Sequence, residues 1–122
     1  MKDGGWDLRN HNPLDIVPDD AKMRVLTPDA NGGAQKGVEY KWIDRETGNT
    51  ARLRVHDKDG TAPAGSNAAN GDVYRIVIGG KYQDEAGVLY HRQVHNANSP
   101  HYNPDAANGT HIPWPRQYPL PY

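Results

Sequence analysis

Residues 37–43 (Gly37-Val38-Glu39-Tyr40-Lys41-Trp42-Ile43) alternate in polarity with a period of two, and so do residues 50–56 (Thr50-Ala51-Arg52-Leu53-Arg54-Val55-His56). Between them, Glu46-Thr47-Gly48-Asn49 has the composition of a turn. Such alternation suits a strand, whose side chains point to opposite faces at successive residues, and not a helix, whose apolar residues recur every three or four. A β-hairpin is therefore the expected nucleus of the fold. Val38, Tyr40 and Trp42 share one face, and Ala51, Leu53 and Val55 are expected to point to the core. Parity then lines up Arg52, Arg54 and His56 on the opposite face of the second strand.

The rest of the chain is punctuated too often for long helices: Gly 13 and Pro 10 in 122 residues call for many turns and short strands. Residues 72–78 are nearly continuous in apolar content and read as a central strand, broken by Gly79-Gly80 and resumed at Lys81-Tyr82-Gln83. Asp84-Glu85-Ala86-Gly87 turns the chain into a strand expected over residues 88–95, with His91, Gln93 and His95 on one face. Residues 19–23 could form one helical turn, followed by a short apolar run, 23–26. Residues 29–36 and 61–71 read as loops, 95–112 as a long Asn/Pro-rich loop, and 113–122 as a tail of polyproline character. The expected fold class is mainly β, with α+β as the alternative: a small single-domain twisted antiparallel sheet with long Asn/Pro-rich C-terminal loops. Residues 1–21 are expected to be a flexible lead and 22–122 the working domain.

Composition excludes several classes. With no cysteine there is no disulfide, zinc–thiolate site or cysteine nucleophile. No apolar run approaches the ~20 residues that span a bilayer, and the polar, acidic N-terminus lacks a signal-peptide pattern. A formal net charge of -1 means that any nucleic-acid contact must rest on a local basic patch.

Three of the six histidines lie in the irregular segment that begins His95-Asn96-Ala97-Asn98-Ser99-Pro100-His101-Tyr102-Asn103-Pro104 and ends Asn108-Gly109-Thr110-His111-Ile112-Pro113-Trp114-Pro115. Histidines on a loop carried by a rigid scaffold suit acid–base or metal chemistry. The metal pattern is poor: His91 and His95 on a strand stand too far apart for one ion, and no His-Glu-x-x-His run exists. Cleavage of RNA by transesterification needs a base, an acid and cations near the phosphate. His56 with His95 or His111, plus Arg54 and Arg75, supplies those groups. Thr110 could bond a phosphate oxygen, and Trp114, Tyr102 and Tyr74 could stack on a base. Ala62-Pro63-Ala64-Gly65-Ser66-Asn67-Ala68 has neither the P-loop lysine nor the nucleophile elbow, but its small residues admit a close approach.

Blocks from Trp42 onward resemble the polymorphic toxin type 30 family. They are Arg54-Val55-His56, residues 62–68, Gly71-Asp72-Val73-Tyr74-Arg75, Gly80-Lys81-Tyr82-Gln83-Asp84, and then His95-Asn96, Asn98-Ser99-Pro100, Tyr102-Asn103-Pro104 and Thr110-His111-Ile112-Pro113-Trp114-Pro115. In order they cover roughly two-thirds of the chain. The resemblance implies a C-terminal toxin domain of a large secreted protein, delivered by contact-dependent inhibition, Rhs-type or type VI systems and neutralised by a cognate immunity protein. It implies a monomeric, metal-independent ribonuclease without a cofactor, acting on RNA, with tRNA a candidate, in the cytoplasm of the target bacterium. On this reading His56 and His111 are the acid–base pair in unassigned order, Arg54 and Arg75 hold the phosphate, and His95 completes the catalytic set. Arg52, Ser66, Asn67, Thr110, Tyr102 and Trp114 contact substrate. Two alternatives stand beside it. One is an NAD-consuming toxin, for which Glu39, Glu46 and Glu85 are the available acids; the other is a non-enzymatic binding module.

Overall fold

A computed structural model describes residues 5–122 of the chain. Alternation makes the hairpin where expected, as β2 (Gly37–Ile43) and β3 (Thr50–His56), paired over their full lengths. β1 (Lys22–Val25) lies outside β2, and β4 (Val73–Ile78) lies inside β3; every pairing is antiparallel. The far edge of β4 is shared by two short strands. β5 (Lys81–Gln83) pairs with its C-terminal end and β7 (Ile112–Pro113) with its N-terminal end, while β6 (Leu89–Tyr90) pairs with β5. The fold is thus mainly β, a seven-stranded antiparallel sheet in the order β1-β2-β3-β4-β5-β6 with β7 beside β4.

The two faces differ in chemistry. Register aligns Val38, Val55 and Tyr74 in one row and Tyr40, Leu53 and Ile76 in the next. Together with Trp42, Ala51, Ile78 and Ile112 they form the core face. Two irregular segments cover that face. From the N-terminal side come Trp6, Leu8, Leu14 and Ile16, with the Trp6 ring 6.1 Å from that of Trp42. From the C-terminal side come Trp114, Tyr118 and Leu120. The segment expected as a flexible lead is thus tied down from Gly5 on, with residues 1–4 outside the described part. Gly5 N donates to Gly87 O, Leu8 N donates to Glu85 O, and the buried Gln83 side chain brackets the Trp6 backbone at 3.0 and 2.9 Å.

Three local expectations are corrected. The helical turn placed at 19–23 gives way to β1, because Lys22 onward pairs with β2; a 3-10 turn forms earlier, at Pro13–Ile16, capped by Asn12 with proline in its first turn. The strand expected over 88–95 stops at Tyr90. The His91 ring accepts from Gln93 N at 3.0 Å and its carbonyl accepts from Val94 N, so the backbone turns instead of pairing. The loops at 61–71 and 95–112 contain two short helices, α1 (Asn67–Asn70) and α2 (Pro104–Gly109). Ser66 caps the first; Asn103, with Pro104 behind it, caps the second. Among the described residues no helix is long and apolar enough to cross a membrane.

Candidate active site

The site grows from the parity of β3. With Ala51, Leu53 and Val55 fully buried on the core face, Arg52, Arg54 and His56 must stand on the other. Register sets Arg54 between Glu39 on β2 and Arg75 on β4. It sets His56 opposite Gly37 on one side and Val73 on the other, and Val73 in turn pairs with Pro113 of β7. The short α2–β7 connection then delivers His111 to the same place. Asn67 holds this connection: its side chain donates to the His111 and Asn108 carbonyls, and its amide N donates to Asn108 Oδ1 at 2.9 Å.

Arg54, His56, Arg75 and His111 line one cleft of about 410 Å³, with Arg24, Lys36 and Asp59 at its walls. Both cleft histidines are held by main-chain carbonyls. His56 Nδ1 lies 2.7 Å from Asp57 O and His111 Nδ1 lies 2.9 Å from Ala107 O. A carbonyl only accepts, so each Nδ1 carries a proton and each Nε2 is left for proton transfer. Burial, reinforced by the Arg75 cation, lowers the His111 pKa to about 4, so its imidazole is neutral at pH 7. Thr61 hydroxyl and amide donors hold the Asp59 carboxyl below the usual carboxylate range, so a negative charge stands within reach of both histidines.

His95 sits behind the cleft wall. Its Nε2 accepts from an Arg75 guanidinium nitrogen at 3.3 Å and lies 3.2 Å from the hydroxyl of the fully buried Thr110. Its ring meets His111 edge-on at 5.4 Å and Tyr82 edge-on at 4.8 Å. Burial and then Arg75 lower its pKa to about 4 as well. Arg75 itself lies over the Tyr82 ring, 4.3 Å from its centroid. Its Nε is buried without a hydrogen-bond partner, and no carboxylate pairs with it among the described residues. Burial works against this cation, and an anion in the cleft would relieve it. Arg54, by contrast, is neutralised by Glu39 at 2.7 Å, and Arg24 binds the other oxygen of that carboxylate at 3.1 Å. Burial opposes ionisation of Glu39, but the two guanidinium groups outweigh it and keep its pKa low.

Other expected residues lie elsewhere. Arg52 is exposed on the same face and borders a shallow hollow with Arg54, Arg75 and Tyr82. Ser66 caps α1 through Ala69 N, and Asn67 fastens the α2–β7 connection; neither lines the cleft. Tyr102 is exposed on the loop before α2. Trp114 and Tyr74 belong to the core, packed edge to face at 5.8 Å, so neither ring is free for a base. His91 and His101 stack on each other at the surface, 3.6 Å between ring centres, away from the cleft. Arg24, Lys36, Asp59 and Tyr82 were not anticipated. Only Tyr82 carried a signal: its strand parity, once β5 is paired with β4, sets it opposite Val77 on the site face. A larger hollow of about 530 Å³, bordered by Asn67, Asp72, Arg116 and Tyr118, offers no histidine. Among the described residues no three His, Asp or Glu side chains converge as metal ligands.

No curated protein and no solved structure matches this chain. A family model described as Bacterial toxin 30 matches residues 12–115, a span that contains all seven strands and every residue of the cleft. The chain belongs to the Bacterial toxin 30 family and is a bacterial toxin domain.

Proposed function

We propose that this toxin domain is a ribonuclease that cleaves RNA in the target cell by acid–base transesterification, with His111 as the base and His56 as the acid. The observation that carries the reading is the convergence of His56, His111, Arg54 and Arg75 on one cleft. His111, neutral at pH 7, is in the protonation state that a base needs to take the proton from a ribose 2′-hydroxyl. The 2′-oxygen attacks phosphorus, the bond from phosphorus to the 5′-oxygen breaks, and His56 gives a proton to the departing oxygen. The products are a 2′,3′-cyclic phosphate and a 5′-hydroxyl. Arg75, a half-buried cation whose Nε has no partner and which no carboxylate pairs among the described residues, is the natural holder of the phosphate anion, and Arg54 stands beside it. Asp59 is placed to steady the positive charge on the acid. His95 acts as a positioning residue, holding Arg75 and His111 from behind, and Thr110 steadies His95. Delivery as part of a secreted effector, tRNA as a target, action as a monomer and a cognate immunity protein remain parts of the same proposal.

An NAD-consuming site is less well served. Glu39 is buried and bound by two arginines, and Glu46 and Glu85 lie in turns. Purified protein incubated in parallel with total bacterial RNA and with NAD separates the two. RNA fragments with cyclic phosphate ends are expected, with NAD intact. Replacing His56 or His111 by alanine should each slow cleavage by about 10²–10⁴-fold, the usual worth of a positioned acid or base. Full activity in both variants would refute the assignment.

A further inference from the structure

Cross-strand register organises the cationic residues of the site face into rows. The row through Arg24, Glu39, Arg54 and Arg75 contains a carboxylate that pairs with two of its cations. The next row reads Lys22, Lys41, Arg52, Val77 and Tyr82 across β1 to β5. Three cations stand side by side in it, all exposed, and none of them makes an ion pair or a side-chain hydrogen bond among the described residues. Like charges directly opposite each other on neighbouring strands destabilise a sheet. In a chain of net charge -1 such a cluster does not follow from composition. Lys22, Lys41 and Arg52 surround a hollow of about 370 Å³ whose one carboxylate, Glu39, already has both oxygens engaged by arginines.

We propose that Lys22, Lys41 and Arg52 form a second phosphate subsite, which holds the RNA backbone flanking the bond that is cut. The proposal rests on the ribonuclease reading above and adds to it the path of the strand. Arg52 is four residues from His56 on β3, about 13 Å away at the usual rise per residue. Continuity ties the hollow to the cleft: Arg24 borders both, and Arg52 shares a smaller hollow with Arg54, Arg75 and Tyr82. The row ends on Tyr82, whose ring already carries the Arg75 guanidinium 4.3 Å from its centroid and meets His95 edge-on, so the charges and their continuity with the cleft carry the assignment. Unpaired cations in a track that runs into the cleft suit the successive phosphates of a single-stranded nucleic acid. An acidic protein segment would use the charges but has no need of the path into the cleft.

The test uses the purified domain, a fluorescently labelled single-stranded 2′-deoxy oligonucleotide that cannot be cleaved by transesterification, and the double variant Lys22→Ala with Lys41→Ala. Binding is followed by anisotropy across a salt series, and folding by thermal melting. Each lost phosphate contact should lower the slope of log affinity against log salt by about 0.7, so the double variant should lose about 1.4 and bind roughly tenfold more weakly at low salt. Its Tm should be equal or higher, because a repulsion has been removed. Wild-type affinity and slope in the double variant would overturn the subsite and leave the row to an acidic protein. If the wild type still cleaves RNA, that result leaves the ribonuclease reading standing. A wild type that neither binds the oligonucleotide nor cleaves RNA would refute both.

Discussion

His95 and His111 are the residues on which the site is most exposed to test. Each is half-buried beside Arg75, and each takes up its proton near pH 4 in the folded chain against an ordinary value of 6.5. The unfolded chain therefore binds these protons first. Stability is full above about pH 6.5, falls as the pH drops toward 4, and levels off with respect to these groups below it. The two shifts are worth about 1–2 kcal/mol each once solvent screening at partly exposed rings is allowed for. Urea titrations at pH 7 and pH 4.5 should show the loss, and His95→Asn should reduce it; equal stability at both pH values would contradict the half-buried neutral pair. At this scale the sequence was partly legible. Parity alone put Arg54 and His56 on one face. Trp114, expected at the substrate, packs in the core, and an aromatic in a loop can face either way. Only the pairing of Ile112 with Tyr74 shows that Trp114 packs back into the core.

Among the elements, the β2–β3 hairpin carries the site, and its tightest point is Gly37, directly opposite His56. A Cβ on Gly37 would stand 2.6 Å from Val55 O, 2.8 Å from Leu26 Cδ1 and 3.0 Å from His56 Cβ. The first contact is with backbone, which cannot yield without moving the strand. Gly37→Ala should therefore cost about 1–3 kcal/mol and lower RNA cleavage by displacing His56. Chemical denaturation together with a cleavage assay checks both; a variant as stable and active as the wild type would show that the strand gives way freely. The hairpin was readable to the residue because both strands are half-buried and alternate. Residues 88–95 were not, because the His91 side chain competes for the backbone and ends β6 after Leu89–Tyr90. The helices α1 and α2 were hidden by their length, although Ser66 and the Asn103-Pro104 pair are sound helix starts.

Across the whole molecule, the sheet works as a partition. One face is closed by Trp6, Leu8, Leu14 and Ile16 from one end of the chain and by Trp114, Tyr118 and Leu120 from the other. The other face collects Arg54, His56, Arg75 and His111 from two strands and the α2–β7 connection. Residues so far apart along the chain give no local sign that they will meet, which is why these four could be named from the sequence but their convergence could not. The closure of the core by the N-terminal segment was invisible for the same reason. A toxin built in this way should act on a cell through its RNA. Expression of the wild type beside His111→Ala in a susceptible bacterium, with total RNA resolved on a denaturing gel soon after induction, tests this most directly. Growth arrest with discrete RNA fragments that vanish in His111→Ala is the predicted result; arrest with intact RNA, or the same fragments from both proteins, would contradict it.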